Sequence, residues 1–205
     1  MNRVTIPINK VREFILRQQT LQGPIPKSDG LNDTLKIIQS LGYVQIDTLS
    51  VTQRAHHHII WTRNPNYDPD HLDQLLTQNR QVFEYWGHAL SYLPLKDYRF
   101  YLHKMIRFHD PYSKWEKDRY ENYGHLMKPV LDQIKHNGPM RAHDFLTPKS
   151  SRKQEMRARN PHKVALEMLF FGGDIMVARR ENFQRYFDLT ERILPSWVNT
   201  KMPTP

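Results

Sequence analysis

Stripes of apolar residues at helical spacing that end at glycine occur in both halves of this chain, and in each half the last stripe is followed by an extended segment. This order restricts what the chain can fold into. In the first half, a stripe that begins at Val11 ends at Gly23-Pro24, and a second stripe ends at Gly42. The apolar members of this second stripe are Leu31, Leu35, Ile38 and Leu41. An extended segment over residues 43–47 follows. Helix, loop, helix and strand in this order are typical of the beginning of a winged-helix module.

The second half repeats this order and adds a hairpin. Its first helix ends at Asn137-Gly138-Pro139, a short helix begins at Arg141, and a third helix runs from His162 to Phe171. Residues 175–178 and 183–189 then form two extended arms around a turn. A hairpin that follows such a pair of helices is typical of the wing of a winged helix.

We therefore predict a mainly α fold with small β-hairpins (α+β), organised as tandem winged-helix modules. The first lobe is expected over residues 1–115 and the second over residues 116–205. Residues 56–63 are predicted as a strand, because Ile59, Ile60 and Trp61 favour one. Residues 96–120 are predicted as a pair of helices with one buried stripe. Its members are Tyr98, Tyr101, Leu102, Met105 and Ile106.

Composition restricts the environment in which the chain is expected to work. Its 205 residues can bury a core without disulfides, and it contains no cysteine. We recognise neither an N-terminal signal nor an apolar run of about 18 residues. We therefore expect a protein of the reducing cytoplasm, with no membrane association, no thiolate metal site and no cysteine nucleophile.

Charge favours a polyanionic partner. Lysine and arginine number 30 against 21 aspartate and glutamate, which gives a formal net charge of +9. Contacts between basic side chains and phosphates release counterions, so binding to nucleic acid is favoured. A basic run leads into the helix at His162 and is a candidate phosphate-binding loop. Its members are Lys149, Arg152, Lys153, Arg157, Arg159 and Lys163. His162 is a further candidate for contact with DNA. Solubility alone is the other explanation for such a charge.

Further arginines lie where they could contact phosphates. Arg54 and Arg63 are close in sequence to the extended segment of the first lobe. The predicted wing of the second lobe carries Arg179, Arg180 and Arg185. Ordinary surface charge is an equally good explanation for the first pair.

The segment Gln45-Ile46-Asp47 is the best candidate for chemistry. Side chains alternate along a strand, so Gln45 and Asp47 would project together while Val44, Ile46 and Leu49 anchor the segment in the core. A carboxylate beside an amide can activate and orient a water molecule. The pattern is short, and most such pairs are simply solvated.

Two other groups of titratable residues have structural explanations. His56-His57-His58 could bind a metal, but the sequence has no HExxH pattern, and a surface role is the simpler interpretation. Glu84 and His88 are four residues apart and could meet on a helix as an acid–base pair. Beside Phe83 and Tyr85, a hydrogen-bonded core pair is the better interpretation of those two.

Several motifs in a fixed order resemble the winged-helix DNA glycosylases of the AlkZ and YcaQ type, with the YcaQ-like branch the better match. The resemblance covers about residues 8–197. The motifs are QIDT at Gln45, EYWGHA at Glu84 with Pro94 after it, GPMRAHDF at Gly138, PHK at Pro161 and RRENFQRYFDLTERILPSW at Arg179.

This resemblance implies a monofunctional DNA repair glycosylase that excises alkylated purines, crosslinked ones included, from double-stranded DNA. It implies that Gln45 and Asp47 form the catalytic motif, and that neither a metal nor another cofactor is needed. We expect a monomer associated with the nucleoid.

Two other interpretations stay open. The helix from His162 and the wing after it would suffice for a DNA-binding protein without catalysis. Members of the family are also about twice as long as this chain, with a further winged helix and a β-rich portion, so an inactive shortened relative is the second alternative.

Overall fold

The computed structural model describes residues 4–23, 30–145 and 160–203 and divides the chain into two units, Met1–Pro94 and Leu95–Pro205. The first unit ends at Pro94, the last residue of a β-hairpin. The lobe boundary expected near residue 115 lies within the second unit, at the beginning of a helix that starts at Lys114. Within the described residues, no helix is both long enough and apolar enough to cross a lipid bilayer.

The first unit contains a complete winged helix preceded by one additional helix. Its three strands form an antiparallel sheet in the order β1-β3-β2. The elements are α1 (Ile8–Gln18), α2 (Gly30–Leu41), β1 (Val44–Gln45), α3 (Ala55–Trp61), α4 (Asp70–Thr77), β2 (Val82–Trp86) and β3 (Leu90–Pro94). From α2 onward this is the winged-helix order of helix, strand, two helices and a hairpin.

One face of α2 packs into the core of this unit, whereas α1 contributes no buried residue. Of the predicted stripe, Ile38 is buried and the three leucines are half-buried, while Ile37, outside that stripe, is buried too. Gly42 adopts a φ of +79° that ends the helix. The helix α1 forms as predicted, but none of its residues is buried. Its stripe is therefore exposed, and Phe14 is the largest exposed side chain of that helix.

The strand predicted at residues 56–63 is wrong, because this segment is the helix α3. His56 and Ile60 are both buried, at 2% and 0% exposure, and they are four residues apart. On a strand, His58 would share their face and be buried as well, because strand side chains repeat every two residues. His58 is exposed, so burial at 56 and 60 fits a helix and not a strand. The β-branched and aromatic residues that favoured a strand are therefore outweighed by packing against the sheet.

The helical pairing considered for Glu84 and His88 is also wrong. Glu84 lies on β2 opposite Tyr92 of β3 and is buried, while His88 lies in the turn between the two strands. Both faces of this hairpin are covered, since Phe83 and Tyr85 are buried as well as Glu84. A strand covered on both faces lacks the alternation by which a sequence reveals a strand.

The second unit has the same winged-helix order after two helices of its own. The elements are a 3₁₀ helix (Leu95–Phe100), α5 (Leu102–Phe108), α6 (Lys114–Tyr123), a 3₁₀ helix (Gly124–Leu126), α7 (Met127–Asn137), a 3₁₀ helix (Ala142–Phe145), α8 (Pro161–Gly172), β4 (Ile175–Glu181), β5 (Gln184–Leu189) and α9 (Thr190–Ile193). Met140 bridges to Phe187 on β5 and takes the place of a first strand. The predicted α+β class with tandem winged helices is confirmed.

Local chemistry explains where the helices of this unit begin and end. Ser113 and Glu116 form a reciprocal capping box at the start of α6. Asn160 caps α8 by accepting a hydrogen bond from the His162 amide, and Pro161 occupies the first helical position. Of the stripe predicted over residues 96–120, Tyr98 and Met105 are buried, but Ile106 is exposed.

The end of α8 provides a test of the packing. Gly173 has a φ of +79°, and a Cβ added there would lie 2.7 Å from the Met105 sulfur. We expect Gly173→Ala to lower the free energy of unfolding by about 1–2 kcal/mol, because an L residue is strained in this conformation. Urea denaturation followed by circular dichroism measures the change.

Gly124→Ala is the matched control. Gly124 has ordinary helical backbone angles, and an added Cβ there would lie 3.7 Å from the nearest atom, on Tyr120. This variant should be as stable as the wild type or slightly more so. Equal stability of the two variants would contradict the packing described for Gly173.

Candidate active site

Gln45 and Asp47 lie at the open edge of the three-stranded sheet of the first unit. The strand β1 is an edge strand, and Gln45, its last residue, pairs with Ser91 of β3. Val44 and Ile46 are buried at 1% and 6% exposure, whereas Gln45 is exposed and Asp47 is half-buried. The alternation expected over residues 44–47 is therefore present, although Asp47 lies two residues beyond the strand.

Leu49 does not anchor this segment. Its side chain is 77% exposed, which contradicts the expected position in the core. The chain leaves the strand geometry after Ile46 and turns, and an isolated bridge between Ser50 and Arg54 closes the turn before α3 begins. Strict alternation from Val44 and Ile46 would also place residue 49 on the face of Gln45 and Asp47, so the exposure of Leu49 contradicts only its expected role as an anchor.

Three hydrogen bonds fix Asp47 and the peptide before it. The Ile46 amide donates to the Leu90 carbonyl over 2.8 Å, and the Asp47 amide donates to Nδ1 of His56 over 3.2 Å. The Asp47 carboxylate accepts from the Leu49 amide through Oδ1 over 2.8 Å. Its second oxygen, Oδ2, makes no hydrogen bond to another residue within the described ranges. Asp47 is therefore held through its backbone amide and one carboxylate oxygen, and its other oxygen has no hydrogen-bond partner among the described residues.

The His56 ring that accepts from the Asp47 amide is surrounded by other rings. Its centroid lies 4.3 Å from that of His57 and 6.0 Å from that of Tyr92 on β3. His57 Nδ1 lies 2.7 Å from the Tyr67 hydroxyl. Burial lowers the pKa of His57, and electrostatic interactions with Arg54 and His58 lower it further. This environment therefore favours the neutral form of the His57 ring.

The three consecutive histidines point in different directions because they lie on a helix. Successive side chains on a helix are about 100° apart, so the triplet cannot converge on one ion. His58 is exposed on the side of α3 away from His56. Among the described residues, no group of three or more His, Asp or Glu side chains could hold a metal ion.

The Arg63 side chain forms hydrogen bonds within the protein. Its Nε donates to the Gln19 carbonyl over 2.8 Å, and its NH1 donates to the Ile59 carbonyl over 2.7 Å. Burial lowers the pKa of this guanidinium. Arg54 precedes α3 as its N-terminal flanking residue and is half-buried. Contacts of these two arginines with phosphates remain predictions.

Most of the basic loop predicted before α8 lies outside the described residues. Those members are Lys149, Arg152, Lys153, Arg157 and Arg159. Lys163 is described and is exposed in the first turn of α8, and His162 stacks on the Phe145 ring at 5.8 Å between centroids.

The helix α8 is a core element over most of its length. Seven of its residues are buried, and it contacts α5, α6 and α7 of the same unit. Only its first turn and isolated positions beyond it reach the surface. A helix buried over most of its length cannot present a whole face to a DNA groove, so the DNA contacts predicted for this helix are limited to the residues around Lys163.

The wing arginines of the second unit are arranged around aromatic rings. Arg179 lies 4.2 Å from the centre of the Tyr186 ring and pairs with Glu181 at 2.7 Å. Arg180 lies over the Phe183 ring at 4.4 Å, and Arg185 lies over the Phe187 ring at 5.1 Å. The turn between the strands has positive φ at Asn182 and Phe183, the geometry of a type I′ hairpin.

Sequence reasoning missed His56 and the Leu49 amide as parts of this site. A backbone amide leaves no mark in a sequence. No sequence signal marks the hydrogen bond to His56 either, because its spacing of four residues to Ile60 fits one face of a strand as well as one face of a helix.

Comparisons with known proteins agree with this architecture. A family model described as DNA glycosylase AlkZ-like matches residues 38–205, which is most of the chain. Among solved structures, the DNA glycosylase AlkZ of Streptomyces sahachiroi is similar to this chain, with a TM-score of 0.66 and 15% sequence identity. That match covers 98% of this chain and 54% of the glycosylase, so the chain spans about half the length of that protein. The resemblance read from the sequence motifs is confirmed.

Lys163 provides a test of the second unit as a DNA-contacting surface. We expect Lys163→Ala to weaken binding to duplex DNA and to reduce the slope of log K against log salt concentration by about one, because one phosphate contact is lost. Fluorescence anisotropy over a salt series measures both quantities.

Lys128→Ala is the control, since the Lys128 ammonium already lies 2.9 Å from the Asp132 carboxylate. This variant should change the slope little. If both variants behave alike, Lys163 contributes only general charge.

Proposed function

The chain belongs to the AlkZ-like DNA glycosylase family, and on that premise we propose that it hydrolyses the N-glycosidic bond of alkylated purines in duplex DNA, with Asp47 and Gln45 as the catalytic pair. The proposal rests on the hydrogen bonds that hold Asp47 in place. Its amide and one carboxylate oxygen are fixed by hydrogen bonds, and its other oxygen is left for a reactant. A catalytic group held in one geometry lowers the barrier because its orientation is established before the reaction begins.

The chemistry suits a carboxylate without a metal. A purine alkylated at N7 is already cationic, so it leaves without protonation by an acid. Cleavage of the bond between C1′ and N9 develops positive charge on the sugar. A carboxylate near C1′ stabilises that charge, as the carboxylates of glycosidases do.

Asp47 also has a role toward the attacking water. The second carboxylate oxygen of Asp47 accepts a proton from the water as the water oxygen bonds to C1′. The electron pair of the broken C1′–N9 bond leaves with the base. Gln45 is exposed beside it and can hold the water or the sugar through its amide. The products are a free base and an abasic site, and no lysine is needed to form a Schiff base.

The binding partner follows from the same proposal. The net charge of +9, the first turn of α8 and the wing arginines of the second unit favour duplex DNA as the substrate. Crosslinked purines belong to the substrate class that we propose, since a bulky group on N7 leaves the same cationic base. The enzyme would act as a monomer without a cofactor, in the cytoplasmic compartment that contains the chromosome.

Asp47→Asn tests the assignment of the catalytic carboxylate. We expect this variant to lower the single-turnover rate of base release on the order of 10²- to 10³-fold, because the negative charge opposite the developing cation is lost. Affinity for DNA should stay unchanged. Duplex containing N7-methylguanine, followed by alkaline cleavage at abasic sites, measures the rate.

Asp70→Asn is the matched control, since Asp70 is an exposed carboxylate of the same unit. It should retain the wild-type rate. A soluble, folded wild type that releases no base would defeat the enzyme assignment, and sequence-specific footprints indifferent to Asp47 would favour a DNA-binding protein without catalysis.

Gln45→Ala tests the second member of the pair. Loss of an amide that orients the water should lower the rate less than loss of the carboxylate, because the charge of Asp47 remains. The same assay provides the comparison. A Gln45→Ala rate equal to that of the wild type would remove Gln45 from the mechanism.

A further inference from the structure

We propose that His56 is a positioning residue that sets the orientation of Asp47, an inference that rests on the proposed function. It is joined to the catalytic segment by the hydrogen bond from the Asp47 amide to His56 Nδ1, over 3.2 Å. The two residues are nine apart in sequence, and a turn closed by the Ser50–Arg54 bridge separates them. The bond therefore links the segment after β1 to the first turn of α3.

The direction of this hydrogen bond fixes the state of the ring. A backbone N–H can only donate, so Nδ1 of His56 must be the nitrogen without a proton. In the neutral ring the proton then lies on Nε2. The fixed tautomer is a property that can be observed directly, independently of any activity.

The ring has little freedom to move. His56 is 2% exposed, and the rings of His57 and Tyr92 lie against it from α3 and β3. A side chain enclosed in this way holds its acceptor in one place. The amide of Asp47 is therefore held by a rigid acceptor, while the preceding Ile46 amide is held by the sheet.

The consequence for the carboxylate is geometric. The backbone bond to His56 sets where the Asp47 Cα lies, and the bond from the Leu49 amide sets the rotation of the carboxylate. Together they determine where Oδ2 points. Loss of the acceptor at His56 keeps the Asp47 carboxylate but changes its orientation. Small displacements of a catalytic group reduce rates strongly.

Two amide substitutions separate this role from simple packing. In His56→Asn the side-chain oxygen can occupy the place of Nδ1 and accept the same hydrogen bond, whereas in His56→Gln the longer side chain places its oxygen nearer to the position of Nε2. Both variants put a polar amide into the same pocket. A role in packing alone predicts that the larger glutamine is tolerated at least as well as asparagine.

We expect His56→Gln to lower the single-turnover rate of base release from N7-methylguanine duplex by about 10- to 100-fold, with the DNA dissociation constant unchanged. His56→Asn should restore most of the rate. His58→Asn, on the exposed side of α3, is the control and should match the wild type. Equal rates for His56→Asn and His56→Gln would overturn the proposal.

A second measurement applies whether or not base release is detected. In the wild type, long-range ¹H–¹⁵N correlation spectra should show His56 Nδ1 as unprotonated, and the Asp47 amide should be protected from hydrogen exchange. In His56→Gln that protection should fall. A protonated Nδ1, or an Asp47 amide that exchanges equally in both proteins, would overturn the role of His56. Absence of base release with both signatures present would defeat only the proposed function.

Discussion

The pairing of β1 with β3 is the constraint on which the candidate site depends. Only Val44 and Gln45 belong to this strand, and the Ile46 amide extends the pairing by one hydrogen bond to Leu90. A shift of the register by one residue would turn Gln45 and Asp47 toward the core and expose Val44 and Ile46. Burial of these two apolar side chains therefore determines which face carries the carboxylate. The hydrogen bond between His56 and the Asp47 amide depends on this register, because the register determines where that amide lies.

The parts of the fold that were predicted correctly are those bounded by strong local signals. Gly42 and Gly173 end helices with positive φ, and the hairpin at Asn182 lies close to its expected place. Alternation correctly predicted the buried and exposed residues over 44–47. These signals depend on a few neighbouring residues, so the sequence alone reveals them.

The errors arose where tertiary packing outweighs local preference. The segment around His56 is a helix that buries His56 and Ile60 and exposes His58, although its composition favours a strand. The hairpin that carries Glu84 is covered on both faces and shows no alternation. The candidate carboxylate could be proposed from sequence, but its support could not, because that support consists of a backbone amide and a ring nine residues away. Contacts of this kind are visible only in three dimensions.

Gln45 ends an edge strand and Asp47 lies two residues beyond it, so the candidate pair lies at the margin of the sheet. Edge strands usually carry a risk, because their unpaired backbone groups can recruit a strand from another molecule. Here the strand is two residues long, and the chain turns away directly after Ile46. Too little free backbone is left at this margin to template the growth of an intermolecular sheet. The shortness of β1 therefore limits self-association through that edge.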